Sequence, residues 1–476
     1  MEFFNSTILE FMDSLSSIIL TFNDFLWTYI LIGMLIIIGL YFTFKTNFVQ
    51  FRNIGEMFRL LTDGATGGKE TNSVSSFQAF CISTASRVGT GNLAGIATAI
   101  SIGGPGAIFW MWLIALIGSA SSFIESTLAQ IYKQKDGDNF IGGPAYYIEK
   151  GLKKRYLGVL FAILITIAFG LVFNSVQANT ISLSLNSSFG FNKLIVGAIL
   201  TILTLVIIFG GVNRIAKVSS VLVPIMAIAY IIVALFIVFK NITLLPNVIK
   251  MIFENAFGVH QVVGGGIGAA LMQGIKRGLF SNEAGMGSAP NAAATATVSH
   301  PVKQGFIQTL GVFTDTIIIC SCTAFIILLS NVPIDGSIKG IELTQLALIN
   351  QVGSWGGIFI SICILLFAFS SIVGNYYYGE ANIQFITSKK IYLNIYRAFV
   401  GIMVFFGSLV SMDLVWNLAD VFMGLMAIIN LIAIVLLSKI AFKALEDYKS
   451  QKRKGIKDPI FKASSITELD NEETEW

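Results

Sequence analysis

The sequence predicts an all-α polytopic membrane protein with eleven transmembrane helices. One extra N-terminal helix precedes a five-plus-five inverted-repeat core that holds two broken helices. Three observations predict this. The 476 residues are 55% hydrophobic and only 12% charged, with a mean hydropathy of +0.77, whereas a soluble chain carries about a quarter charged residues. Apolar runs of about 20 residues, the length of a membrane helix, recur along the chain. Membrane β-strands are shorter and alternate, so a β-barrel is excluded. Finally, two of the apolar runs are interrupted by glycines and polar residues at matching places in the two halves.

Residues 1–24 carry acidic groups but no Lys or Arg and are read as an extracellular segment. They lack the basic start and small-residue cleavage site of a removable signal. The extra helix covers 25–44. A loop with Lys45, Arg52, Arg59 and Lys69 leads to the first broken span, about 75–100. After the turn Gly103-Gly104-Pro105-Gly106 come spans at 107–132, 157–185, 193–212 and 218–239, the second of these following a basic loop at 133–156. A polar loop at 240–262 leads to the second unusual stretch, 264–298. Spans at 304–330, 354–388, 394–411 and 414–438 follow. The first repeat is thus 75–239 and the second 264–438. Residues 439–476, basic and then acidic, are read as a solvated, disordered cytoplasmic tail. Lysine and arginine concentrate in loops on one side, which the positive-inside rule places in the cytoplasm with the C-terminus. The N-terminus is then outside.

The first interruption reads Arg87-Val88-Gly89-Thr90-Gly91-Asn92. Glycine loses the most backbone entropy on entering a helix. Unwound backbone at membrane depth is tolerated only where protein, water or a ligand satisfies it. A small-residue packing face is the alternative for Gly91 to Gly95, but the added Arg and Asn favour a site. Interrupted helices at matching places in inverted halves point to the central site of a secondary transporter. Charges inside a membrane are costly and are functional candidates. Arg87 flanks the first break; Lys276, Arg277 and Glu283 flank the second. These four are candidates for gate or charge pairs, because helix N-termini alone can hold a carboxylate. Glu125, Asp315 and Glu380 fit a structural or a functional role equally. Ser370 and Ser371 are adjacent hydroxyls in an apolar span. They suit a sodium ion, which takes oxygen donors, or bonds to their own backbone.

Other classes are poorly supported. Cys81, Cys320, Cys322 and Cys363 lie in apolar segments and read as buried free thiols. There is no His-Glu-x-x-His motif, and His260 and His300 fall in loops, so an enzyme is not expected. Gly89 to Gly95 follows no strand and fails the context of a nucleotide turn. No Walker-type motif is present. A channel needs more than two spans polar at mid-depth. The net charge of +4 is too dispersed for a nucleic-acid partner.

The segments VGTGNLAG (88–95), GGPGAIFWMW (103–112), GGPAYY (142–147), RGLFSNEAGMGSAPNAAATA (277–296) and YYYGE (376–380) together resemble the alanine/glycine:cation symporter family. That family, sodium:alanine symporter-like, lies within the amino acid–polyamine–organocation superfamily. The resemblance spans about 75–440. It implies a five-plus-five core and cation-coupled uptake of small neutral amino acids. A fainter similarity to the neurotransmitter:sodium symporters implies a sodium site from the Ala85 and Val88 carbonyls with the Ser370 and Ser371 hydroxyls. It places the substrate carboxylate at the Thr90 and Gly91 N–H groups, and Asn92 beside the substrate or a second ion. Gln177 matches a glutamine near the substrate in alanine-type members, and Gly278, Phe280, Ser281 and Asn282 line the second break. Alanine/glycine-type members commonly have Trp where this chain has Asn375, and Trp caps the pocket. Asn frees volume and adds donors and acceptors, which favours glutamine over alanine, glycine or serine, unless Asn375 faces away.

The resulting expectation is a sodium-coupled symporter of the plasma (inner) membrane that works by alternating access. It has no organic cofactor, and a monomer is expected. Proton coupling, with Lys276 or a buried acid as relay, and a non-transporting sensor are the alternatives.

Overall fold

Length and apolarity decide which helices of this chain can cross a bilayer. The computed structural model describes residues 17, 19–66, 74–137, 139–258, 266–469 and 474–476. Of the N-terminal segment 1–24, only residues 17 and 19–24 fall among these, and His260 lies outside them. Eight of the described helices are long and apolar enough to span a membrane. They are α1 (Ile19–Lys45), α5 (Ala107–Ile131), α7 (Arg155–Phe189), α9 (Gly211–Lys240), α13 (Pro301–Leu328), α15 (Trp355–Ile386), α16 (Lys390–Leu409) and α17 (Met412–Arg453). Two shorter apolar helices join them, α4 (Gly91–Gly103) and α8 (Lys193–Ile208).

Between these lie α2 (Ile54–Thr66), α3 (Ser76–Arg87), α6 (Pro144–Leu152), α10 (Leu245–Ala256), α11 (Gly266–Asn282), α12 (Ala289–Thr295) and α14 (Ile341–Val352). A hairpin of β1 (Gln134–Asp136) and β2 (Asn139–Ile141) pairs Gln134 with Ile141 and Lys135 with Phe140. The interrupted spans are therefore α3–α4 and α11–α12. The order broken helix, long helix, short helix, long helix, then two more, occurs twice: α3 to α9, and α11 to α17.

Local signals explain the ends. Ser75 caps α3 in a reciprocal pair with Gln78, which satisfies two orphan donors. Proline opens α6, α10, α12 and α13 within the first two positions, where its missing N–H costs nothing. Lipid-facing surfaces are read from exposure. Ile225, Ile228, Ile232, Phe236 and Phe239 on α9 are exposed, as a helix on the rim of a membrane bundle requires.

Two regions differ from expectation. Loops expected to be plain polar connections contain helices α2, α6, α10 and α14. Helices α2 and α10 are amphipathic, so their apolar faces pack although no run is long enough to span. The tail also departs from expectation. Helix α17 continues to Arg453, and the chain beyond it folds back on the bundle. Phe461, Ile466 and Leu469 are 3%, 1% and 1% exposed, so described residues of the tail are packed rather than disordered. Burial of three apolar side chains outweighs the tail's dispersed charge.

Candidate functional site

The first break forms because Val88 leaves the helix, with φ −79° and ψ 91°. That frees the next backbone donors, and side chains meet them. Gly89 N–H donates to Asn92 Oδ1 at 2.9 Å and Thr90 N–H to Gln177 Oε1 at 2.9 Å. Gln177 comes from α7. Gly89 has no room for a side chain: a Cβ there would collide with Ser371 Oγ and lie 2.8 Å from Gln177 Oε1. Ser371 Oγ lies 3.3 Å from Val88 O and 3.0 Å from Phe367 O. Ser370 Oγ donates to Phe367 O at 2.8 Å and faces Met226 of α9. The structure thus gathers Val88, Gly89, Ser371 and Gln177, with Ala85 buried on the last turn of α3. Both serine hydroxyls bond the backbone of their own helix.

The second break runs through 283–288, where Glu283 has φ +57° and Gly285 and Gly287 have φ +83° and +82°. A carboxylate meets the freed donors here. Gly285 N–H and Gly287 N–H donate to Glu125 Oε1 and Oε2, each at 3.1 Å. Asn430 Nδ2 on α17 donates to Glu125 Oε2 at 2.7 Å and to Gly285 O at 2.9 Å. Tyr147 OH of α6 donates in turn to Asn430 Oδ1. Glu125 is therefore the acceptor that lets this loop stay unwound in a buried place.

Two side-chain groups tie the breaks together. Asn92 Nδ2 donates to Asp315 Oδ1 at 2.6 Å and to Ser281 Oγ at 2.9 Å. Ser281 Oγ and Thr316 Oγ1 donate to Asp315 Oδ2 at 2.6 and 2.8 Å. Asp315 sits in a π-helical stretch, Phe313–Cys320, of α13, and such widened turns recur at functional sites. The second group centres on Ser86, whose Oγ is 2.7 Å from both Glu283 Oε1 and Asn375 Oδ1. A hydroxyl has one hydrogen to give. Turning the Asn375 amide lets Nδ2, otherwise without a partner, donate to Ser86 while Ser86 donates to Glu283. Ser288 Oγ completes the Glu283 carboxylate at 2.6 Å. Gly374 makes this possible: its Cβ position lies 2.9 Å from Ser86 N, so α15 approaches α3 backbone to backbone.

The remaining candidates separate. Arg277 donates to Asp420 Oδ2 of α17 at 2.5 Å, and Lys276 Nζ lies 3.9 Å from the same oxygen. Arg277 also stacks over Trp416, which packs on Phe280, and Phe280 stacks on Phe173 at 4.5 Å. Lys276 and Arg277 thus pair with Asp420, not with Glu283. Arg87 is 2% exposed, and its NH1 donates to Gln308 O at 3.3 Å, which sets its side chain against α13 at the end of α3. Gly278 packs on Met111 and Ile114 of α5. Asn282 Oδ1 accepts from Ala284 N–H at 3.0 Å. Glu380 pairs with Arg397 of α16 at 3.5 Å. Sequence reasoning missed Ser86, Trp416, Asp420 and Asn430. Asp420, an acid in an apolar span, was findable by the rule that singled out the other charges; the other three had no signal.

Known proteins share the fold and the sequence family of this chain. The crystal structure of MhsT in complex with L-phenylalanine matches with a TM-score of 0.57 at 16% identity, covering 86% of this chain and 95% of that one. That likeness concerns the fold alone. The probable sodium/glutamine symporter GlnT of Bacillus subtilis (strain 168) is 60% identical over 92% of this chain and 91% of its own length. The sodium/alanine symporter AgcS of Methanococcus maripaludis is 37% identical over 89% of this chain and 94% of its own. Residues 12–463 match the family described as the sodium:alanine symporter family. The chain belongs to the sodium:alanine symporter family, and it is a multi-pass membrane transporter rather than an enzyme.

Proposed function

We propose that this chain imports a small neutral amino acid, glutamine before alanine, glycine or serine, together with sodium. Eleven spans, one extra and two inverted sets of five, would carry the site, with the basic face and C-terminus in the cytoplasm. The observation that carries the reading is the meeting of two unwound helix segments around buried polar side chains. A substrate carboxylate would take the Thr90 N–H from Gln177 Oε1, which would then be free to accept from the substrate ammonium. The Asn375 amide, bonded to Ser86 and beside Glu283, offers donors and acceptors that suit a side-chain amide. The 60% identical relative named as a probable sodium/glutamine symporter supports glutamine. Sodium would use the Ala85 and Val88 carbonyls and the Ser370 and Ser371 hydroxyls. Opening toward one face would break Arg277–Asp420 and the Phe280–Trp416 contact, which makes them the gate on that side. Bound sodium would favour the substrate-binding state, and the effect is reciprocal.

The test is uptake of labelled glutamine and alanine into proteoliposomes, under a sodium gradient and under a pH gradient alone. Sodium-driven glutamine uptake that falls about tenfold in Asn375→Trp, the loss of about one good polar contact, is the expected result. Alanine preference indifferent to Asn375 sinks the pocket argument. Uptake driven by pH alone moves the coupling ion to Glu283 or Asp315, both carboxyls buried at the breaks. Absence of any uptake, with binding retained, leaves a sensor.

A further inference from the structure

The chain after α17 returns across the basic face and grips the loop that follows the second broken helix. We propose that residues 456–469 and Trp476 form an intramolecular latch that holds this face of the transporter closed and must release before the central site opens there. The inference rests on the transport cycle proposed above.

The place gripped is where the two broken helices reach this face. Val74, just before α3, bridges Ala296, just after α12, and Thr297 N–H donates to Val74 O at 3.0 Å. Gln304 Nε2 donates to Ser76 Oγ at 3.1 Å. The ends of both half-helices are thus fastened together, and any opening between them and the helices around them must move this loop. The tail clasps it from outside. Phe461 N–H donates to Ser299 O at 2.9 Å, Ser299 Oγ donates to Pro459 O at 2.8 Å, and Lys303 pairs with Asp458. His300 lies between the rings of Tyr448 and Phe461, with Nε2 3.1 Å from Asp447 Oδ2.

A second anchor holds the end of α5. Trp476 Nε1 donates to Gln130 O at 2.8 Å. Gln130 Nε2 in turn caps Ala296 O at 2.9 Å, and Lys133 Nζ donates to Ala296 O at 3.2 Å with its charge over the Trp476 ring. One cluster therefore joins the tail, the end of α5 and the end of α12. The ion pairs of the tail, Lys303–Asp458 and Lys443–Glu468, are exposed on at least one partner, and exposed pairs hold little. The grip comes from Phe461, Ile466 and Leu469, which are almost fully buried. Salt alone should therefore not release it.

Thr295, buried at the end of α12, reports on opening. The full chain with Thr295→Cys is reacted with a membrane-impermeant maleimide applied from the basic face. Phe461→Ala with Asp458→Lys should raise the labelling rate about tenfold, as a shift in a two-state equilibrium does. A Lys303→Cys/Asp458→Cys pair joined by a short bifunctional thiol reagent, in a Thr295→Ser background with transport as the readout, should stop exchange, and each single cysteine should not. Equal labelling with the tail contacts broken, together with full exchange in the joined protein, overturns the latch. The labelling arm does not require transport: a protein that carries no amino acid, yet labels faster when the tail is freed, overturns the symport reading and leaves the latch standing.

Discussion

The two helix breaks solve the same problem with different chemistry. Each leaves backbone N–H groups without helical partners at a depth where water is scarce. At the first, neutral amides answer: Asn92 takes Gly89 N–H and Gln177 takes Thr90 N–H. At the second, a buried carboxylate answers, with Glu125 holding Gly285 and Gly287 and itself held by Asn430. Glu125 takes three donors from two other elements across its two oxygens. The second break is therefore fastened to α5 and α17, whereas the first holds its donors with neutral amides that a ligand would displace in the proposed cycle. In the proposed cycle, an exchangeable break and a fixed one would make a site with one adaptable wall.

The largest expected effect tests the fixed wall. Glu125→Ala leaves Gly285 N–H, Gly287 N–H and Asn430 Nδ2 without that acceptor, and each buried unpaired donor costs ~1–3 kcal/mol. Thermal unfolding in detergent should show a loss of about 3 kcal/mol or more. A melt like the parent's would mean that the second break is as adaptable as the first. Gly89→Ala tests the other wall from the steric side. Its Cβ would push Ser371 away from Val88 and crowd Gln177. The fold should survive, because the insult falls on movable side chains, while the sodium concentration for half-maximal uptake should rise about tenfold, ~1.4 kcal/mol. Unchanged sodium dependence would remove Val88 and Ser371 from the ion site.

Gln177→Ala sharpens the contrast at smaller scale. It removes one neutral hydrogen bond, worth about 1 kcal/mol of stability. KM for glutamine should rise by more than the about fivefold that ~1 kcal/mol corresponds to, because Gln177 is proposed to hand its donor to the substrate. A variant that loses stability as Glu125→Ala does, with KM intact, would make Gln177 another fixed anchor and erase the difference between the breaks.

Much of this was legible in the sequence. Gly89 and Gly91 mark the first interruption because glycine disfavours a helix; the second was expected at Gly278 to Asn282, but those residues are the helical end of α11 and the chain unwinds just beyond them, at 283–288. Asp315, Glu125 and Glu283 stood out because charge is costly there. Their partners were not legible. Nothing local says that Glu125 faces residues 160 positions away, or that Lys276 and Arg277 reach across to Asp420. Ser86 was invisible because a serine in a helix most often bonds its own backbone. Ser370 and Ser371 both bond Phe367 O of their own helix, and Ser371 also reaches Val88 O. The packed tail was also illegible, since its lysines and acids mask the three apolar side chains that fix it.

The smallest expected effect separates the sealed carboxylate, Glu125, from one that water can reach. Glu56, on α2 outside the membrane helices, lies 2.7 Å from Arg59 and 3.3 Å from Lys452, and accepts from Tyr448 OH. Partial burial alone would raise its pKa. The hydrogen bonds from Arg59 and Tyr448 outweigh that and take it from 4.5 to about 2. A depressed carboxyl stabilises the fold above its unfolded pKa, and that contribution is lost as pH falls through the folded value. Tm should therefore decline between pH 4.5 and about pH 2, and Glu56→Gln should flatten that limb while lowering Tm modestly at neutral pH. If the same limb persists in Glu56→Gln, the acid sensitivity comes from other groups. The join of α2 to α17 would then rest on packing, and charge would act as an anchor in this protein only where it is sealed from solvent, as at the second break.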